Sequence, residues 1–464
     1  TTTPAEGSAE KPTTKVIKII NNWVDDATKE LKIRLSNVNI KPSTGQAAMD
    51  VSGDGTTKVE LDGQNVLDSS SSSYQAGLRK QGEGTLIITD ETDDKGNKIT
   101  TPKLDDSGSL FAKGGDYNGA AGIGGSIGES TKNITIEGYA TVDATGGGSG
   151  GAGIGGGSDG HNPTRSGDAE NITIQGHSKV TATALDGAAI GGGGHGSYSG
   201  GSARNIVIRD HATVIAKGSD NGRTGNGAAI GAAGWTGDDT EAVVTIGTPG
   251  ATAADEDVNI IATGVYGSAI GNGRKRTDIT IQGHVTIQTA SSHNDTAIGS
   301  GAGNVTVNIT DNVTIDTVDE VINKDPDHSG SGIGGSGRTV EVNINGGDKG
   351  RIEIGKKSAI SGEDGAISGT TVNIGNNVLL KMKQRQVRTY WYSKYIAVND
   401  AEAEVGTRSD ATGASGLVNS IGDNTELWYL NEDNKLQKIV HGKNLCKKSP
   451  TEHITKKPTC ITPG

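Results

Sequence analysis

Short runs in which apolar and polar residues alternate recur along most of the chain. Asn133-Ile134-Thr135-Ile136, Asn171-Ile172-Thr173-Ile174, Asn205-Ile206-Val207-Ile208 and Asp278-Ile279-Thr280-Ile281 form one series. A second series follows close behind: Ala140-Thr141-Val142-Asp143-Ala144, Lys179-Val180-Thr181-Ala182-Thr183 and Ala212-Thr213-Val214-Ile215-Ala216. Val285-Thr286-Ile287-Gln288 and Val313-Thr314-Ile315-Asp316 continue it. A period of two places Ile, Val and Ala inward and Thr, Asn and charges outward. A third element precedes most of these pairs. It is an isoleucine flanked by Gly or Ala: Ile123, Ile154, Ile190, Ile230, Ile270, Ile298, Ile333 and Ile367. Its spacing runs from 28 residues (Ile270 to Ile298) to 40 (Ile190 to Ile230), a range typical of repeat architectures.

Each repeat therefore reads as three short strands and three turns, with no helical period between them. This pattern predicts an all-β, single-stranded parallel β-helix, in which each strand pairs with its equivalent in the next coil. Right-handed coiling, the commoner form, is adopted as the default. The N-terminal part fits more loosely. Leu31–Leu35 with Val38–Ile40 reads as a partial first coil. Ala47–Met49, Lys58–Leu61 and Asn65–Leu67 read as the next, and Ala76–Leu78, Thr85–Ile88 and Ser109–Ala112 as another. About eleven coils at about 4.8 Å each make a rod roughly 50 Å long.

Three regions follow. Residues 1–14 read as a flexible arm rich in Thr, Pro, Glu and Lys. Residues 15–380 read as the β-helix with an N-terminal cap, to which a short helix near Asp25–Leu31 is expected to contribute. The strand Lys15–Ile20 is a candidate assembly strand through Val16, Ile17, Ile19 and Ile20. Residues 381–464 concentrate basic and aromatic side chains and read as a small β-rich module. Its Cys446 and Cys460 are expected to form a local disulfide, with free thiols the alternative.

Composition fits a solenoid better than a large single core. Of 464 residues, 74 are Gly and only one is Phe, and hydrophobic residues make up 31%. Small aliphatics suffice where each coil packs only on its neighbours. The glycines have no three-residue period and there are 10 Pro, which excludes collagen. A net charge of −12 disfavours nucleic acid as a partner, and no apolar run is long enough for a membrane-spanning helix. The opening Thr1-Thr2-Thr3-Pro4 has the look of a processed mature end.

Repetition stacks equivalent residues. Asn133, Asn171 and Asn205, with Asp278, are expected to form an amide row, and Tyr139, His177, His211 and His284 a ring row. Stacked imidazoles raise the question of a metal row, yet flat side chains also stack at turns, and no acid or Cys pattern completes a site. Gly156-Gly157-Ser158-Asp159-Gly160 partly matches a calcium β-roll repeat but does not recur. No cofactor is therefore expected. The GxGIG segments lack the following helix of a dinucleotide fingerprint.

The longer loops fall mostly after the Ile corner and carry Trp235, Tyr198, Asp238 and Asp239. These are the candidate contacts for a glycan or another partner. Asp159 with Asp238 and Asp239 supplies acids, but no motif ties them to the paired-carboxylate geometry of a glycosidase.

GAGIGGG, NITIEGYATVDATGG and NITIQGHSKVTATA resemble glycine-rich β-helix repeats in surface proteins of Gram-positive, gut-type bacteria. LKIRLSNVNIKPSTGQAAMDVSGDGTTKVELDGQNVL looks like a domain of the same group described as carbohydrate-binding. The resemblance covers about residues 30–380 and implies secretion, a cell-surface place and an all-β helix. Thr459-Cys460-Ile461-Thr462-Pro463-Gly464 departs from the LPxTG wall-sorting pattern.

The expectation is an extracellular, non-catalytic structural or adhesive surface protein that self-associates through its ends into a fibre or layer. The alternatives are a monomeric module binding extracellular glycans with its loop edge, and a polysaccharide lyase or glycoside hydrolase on a β-helix.

Overall fold

Like strands of successive repeats pair in parallel and build three sheets in a computed structural model of the chain. It describes residues 6–7, 11–24, 29–92, 98–99, 108–117, 119–148, 150–159, 165–194, 200–218, 227–234, 239–291, 296–317, 332–335, 339–355, 367–369 and 371–383. Further on it describes residues 394–399, 402–407, 418–421, 424–430, 436–439, 445–447 and 459–460, mostly as backbone alone. The first sheet runs from Ile17–Ile20 through Met49–Ser52 and Leu78–Lys80 to the Ile–Gly pairs and Ile367–Gly369. The second runs from Leu31–Ser36 to Thr371–Ile374, and the third from Asn39–Ile40 to Val378–Lys383. Together they make eleven coils of a parallel β-helix, and there is no helix among the described residues.

The corner isoleucines form one continuous column. Ile123, Ile154, Ile190, Ile230, Ile270, Ile298, Ile333 and Ile367 are successive register partners, each fully buried. Every one contributes about 1.5–3 kcal/mol by burial. The glycine after each of the first seven is set by its neighbour, while Ser368 follows Ile367. At Gly191, φ is +140°, and a Cβ would lie 1.9 Å from the carbonyl oxygen of Gly231 in the next coil. Only glycine lets the backbones stack there.

Strands of the second and third sheets alternate as the period of two requires. In Thr141–Thr145, Val142 and Ala144 are buried while Asp143 is exposed. In Arg276–Ile281, Thr277, Ile279 and Ile281 are buried.

Four features differ from the sequence expectation. Ile17–Ile20 pairs with Met49–Ser52, so the first coil is complete rather than partial. The described part of the arm is not free, because Thr13 bridges Ile40 and its N–H donates to Asn39 O at 2.9 Å. Leu31, the expected end of a capping helix, opens a strand, and residues 25–28 lie outside the described set. The C-terminal strands continue the sheets instead of standing apart. Val418–Ile421 adds in parallel to the second and Glu426–Leu430 in parallel to the third. Lys394–Asn399 adds antiparallel to the first.

Candidate functional site

The second sheet carries an amide row along its outer edge. Asn133, Asn171 and Asn205 have φ of +58°, +54° and +58°, a left-handed turn that Asn tolerates better than most residues. Lys132 pairs with Glu170 and Ile134 with Ile172, which leaves Asn133 opposite Asn171 outside the paired ladder, and between Ala203 and Ile206 the strand of Asn205 has one residue more than its next neighbour. Their amides bond along the rod. Asn171 Nδ2 donates to Asn133 Oδ1 at 2.9 Å and Asn205 Nδ2 to Asn171 Oδ1 at 2.8 Å. The register shifts in the next coil. Asp278, one coil further on, pairs with Val243 and Thr306, so it does not extend the row. A second row went unread in the sequence. Asn343 Nδ2 donates to Asn308 Oδ1 at 2.9 Å, and Asn373 Nδ2 to Asn343 Oδ1 at 2.7 Å. Its signal was the recurring Val-Asn-Ile of three late coils.

The ring row lies at the turn between the second and third sheets. Tyr139 and His177 stack with centroids 5.0 Å apart and planes within 3°. His177 and His211 stack at 4.6 Å and 5°. Rings this close leave no room for a sugar between them. Burial, with a contribution from the neighbouring His211, holds the His177 imidazole below its ordinary range. His284 occupies the equivalent turn two coils on but does not stack with His211. The turn between them presents Asp257, whose Oδ1 lies 3.5 Å from His284 Nδ1. Beside it, buried Glu256 accepts the backbone N–H groups of Asp210, Thr248 and His284 at 3.0–3.2 Å. That carboxylate locks a longer turn onto the stack, a structural task that sequence pattern did not reveal. Among the described residues no three His, Cys, Asp or Glu side chains form a group fit for a metal ion.

The loop-edge candidates are not brought together. Trp235, Tyr198 and Asp238 lie outside the described residues, and Asp239 is exposed. Asp159 is buried, at 6% exposure, rather than displayed on a loop. Of the assembly strand, Ile19 packs into the core, Ile17 is half-buried and Ile20 is 63% exposed; Val16 is half-buried just before it. Cys446 and Cys460 are register partners in an antiparallel pair.

No family model matches the chain, and comparisons with curated proteins and with solved structures found no match. No helix among the described residues is long and apolar enough to cross a membrane.

Proposed function

We propose that this chain is an extracellular, non-catalytic surface scaffold that joins further copies of itself through the N-terminal end of the rod. The observation that carries this reading is the open N-terminal edge of the rod. At the C-terminal end, antiparallel strands extend the first and third sheets, so the two ends are built differently. At the N-terminal end, Thr13 covers the third sheet, while among the described residues no strand pairs with the outer edges of Ile17–Ile20 or Leu31–Ser36. An open edge is a template for strand addition. Beside it Ile20, Trp23 and Val24 are 63%, 46% and 60% exposed, an apolar cluster of the kind that marks contact sites. Half-buried Ile17, Leu31 and Ile33 pack against the end of the core.

The resemblance of the repeat to bacterial surface proteins supports the extracellular placement. The pairing of Cys446 with Cys460 fits it as well. Facing residues of an antiparallel pair have Cα atoms about 4.5–5.5 Å apart, within disulfide range, and the bridge is expected to leave no thiol for alkylation until the protein is reduced.

Sedimentation velocity across a concentration series, with negative-stain imaging, tests the assembly. Wild type should populate dimers or longer particles as concentration rises. Ile20→Asp combined with Trp23→Ser should return it to monomer without lowering Tm appreciably. A wild-type chain that stays monomeric at the highest concentration overturns the reading.

A further inference from the structure

Charges of opposite sign alternate along the leading edge of the second sheet. Lys132, Glu170 and Arg204 are successive register partners in three central coils. The alternation runs on in both directions. Lys132 Nζ pairs with Glu83 at 2.6 Å in the coil before, and Arg204 Nε pairs with Glu241 at 3.0 Å in the coil after. Glu241 is in turn the register partner of Arg276. Six consecutive coils, from Glu83 to Arg276, thus carry alternating signs.

Within one rod this ladder is unfinished at its middle. The Glu170 side chain is exposed and has no hydrogen bond or ion pair among the described residues. Its neighbours are engaged elsewhere: Lys132 with Glu83, and Arg204 with Asp168 at 2.7 Å and with Glu241. Arg204 uses one N–H each on Glu241, Asp168 and Ser202, which leaves two of a guanidinium's five donors. Beside the charges the face is even. Thr135, Thr173, Val207, Thr245 and Thr280 form one half-buried outward column, with no large side chain in it to hold a second sheet away.

We propose that this face pairs two copies of the chain side by side, with the rods antiparallel and a two-fold axis between the coils of Glu170 and Arg204. That axis sets Glu170 opposite Arg204 of the second copy, Lys132 opposite Glu241 and Glu83 opposite Arg276, and symmetry makes each contact twice. Thr173 meets Val207 at the centre. Moving the axis by one coil, onto Glu170, would set Glu170 against Glu170 and Lys132 against Arg204, so the signs select the register. Ten coils overlap in this arrangement. At about 4.8 Å per coil and about 20 Å of strand, each copy covers roughly 950 Å², which brings the pair into the range of about 1,200–2,000 Å² for specific interfaces. The contact is polar, and exposed ion pairs contribute little one by one. In a layer of rods it repeats from neighbour to neighbour, so that modest single contacts suffice. This surface is separate from the open edge at the rod end.

Sedimentation velocity of the full chain carrying Ile20→Asp and Trp23→Ser, which remove the rod-end contact, tests the pairing. At an ionic strength of about 0.1 M the net charge is screened beyond about 10 Å while contacts of a few ångströms persist. Dimers should form there as concentration approaches about 1 mM. In about 1 M salt they should open, leaving only rod-end association to be read in the unsubstituted chain. Glu170→Lys should weaken dimerisation at least about tenfold, because it faces like charges twice. Asp143→Lys makes the same change of net charge on the outer face of the third sheet, where Asp143 is exposed, and should not weaken it. Both substitutions alter exposed side chains, so Tm should hardly move. Carbodiimide coupling of mixed heavy- and light-isotope chains reads the geometry. It should join Lys132 of one copy to Glu241 of the other, residues that lie three coils, about 14 Å, apart within one chain. Protein that stays monomeric at 0.1 M salt overturns the proposal. So does equal weakening by Glu170→Lys and Asp143→Lys, and so do dimers that lack the mixed Lys132–Glu241 link. None of these outcomes bears on the rod end, because that contact is removed from the protein tested.

Discussion

At the scale of single residues, the fold depends on a few positions that tolerate one side chain. Gly191 is one. An added Cβ would meet the Gly231 carbonyl oxygen at 1.9 Å, backbone against backbone in a close-packed stack. Gly347 also has positive φ, +65°, but nothing lies within 4 Å of an added Cβ. Gly191→Ala should therefore cost at least about 4 kcal/mol, and Gly347→Ala only about 1–2 kcal/mol for its backbone conformation. Urea denaturation of both variants checks this; similar losses would show that stacking is not what demands glycine. Lys80 is the opposite kind of position, a charged side chain 2% exposed. Its Nζ donates to the carbonyl oxygens of Gln81 and Gly82, each at 3.1 Å. Burial pushes its amine down to about 8 from an ordinary 10.5. Below pH 8 the ammonium is charged in both folded and unfolded chains, and the folded state bears the full burial cost, up to about 3 kcal/mol. As pH rises from 8 to 10.5 the folded state sheds its proton first, so stability relative to a neutral side chain recovers. Lys80→Met should raise Tm at pH 7, and the gain should shrink toward pH 10.5. A gain that does not change with pH would sink the argument.

At the scale of strands and rows, stability comes from repetition along the rod. Asn171 both donates to Asn133 and accepts from Asn205, and it holds a φ of +54°. Asn171→Ala removes two hydrogen bonds, about 0.5–1.5 kcal/mol each, and adds a left-handed penalty of about 1–2 kcal/mol. Asn171→Gly loses the same bonds but avoids most of that penalty, so it should be about 1 kcal/mol more stable than the alanine variant in denaturant unfolding. Equal loss in the two would mean that the backbone turn carries no strain. Much of this level was legible in the sequence, because a period of two and a recurring Ile corner directly encode which faces turn inward. The Asn133, Asn171 and Asn205 row and the Tyr139, His177 and His211 stack followed from equivalence alone. What failed was equivalence across coils of different construction. Asp278 occupies the asparagine position by sequence but lacks the extra residue that turns the amide outward. His284 is separated from His211 by Asp257, in a turn lengthened by the segment that Glu256 pins down. Lys80 and Glu256 were unreadable because their roles rest on backbone groups brought close by the coil, which leave no mark in residue pattern.

At the scale of the whole molecule, the rod is a linear stack in which each coil is held mainly by its neighbours. Terminal coils have a neighbour on one side only, so they should open at lower free energy than the middle. The N-terminal end adds a sharper expectation. Ile17 and Asn21 donate their N–H groups to Ala48 and Ser52 of the second coil. Parallel ladders alternate in direction, so the amides of Lys18 and Ile20 point to the open side. Hydrogen exchange should find these two amides fast in dilute protein and find Ile172 and Ile206, in central strands, among the slowest. If copies join by adding strands at this edge, Lys18 and Ile20 become protected as concentration rises, while the central strands do not change. Protection that appears with Ile20→Asp as well would place the contact elsewhere. Exchange that stays fast while sedimentation reports dimers would mean that the copies meet through side chains such as Trp23, with the edge left open. The basic side chains on these first strands, Lys18 and Lys32, oppose direct apposition of two such ends, whereas Arg34 beside them is paired with Asp62 at 2.7 Å. Association through the edge should therefore strengthen with added salt, whereas attraction between oppositely charged surfaces would weaken.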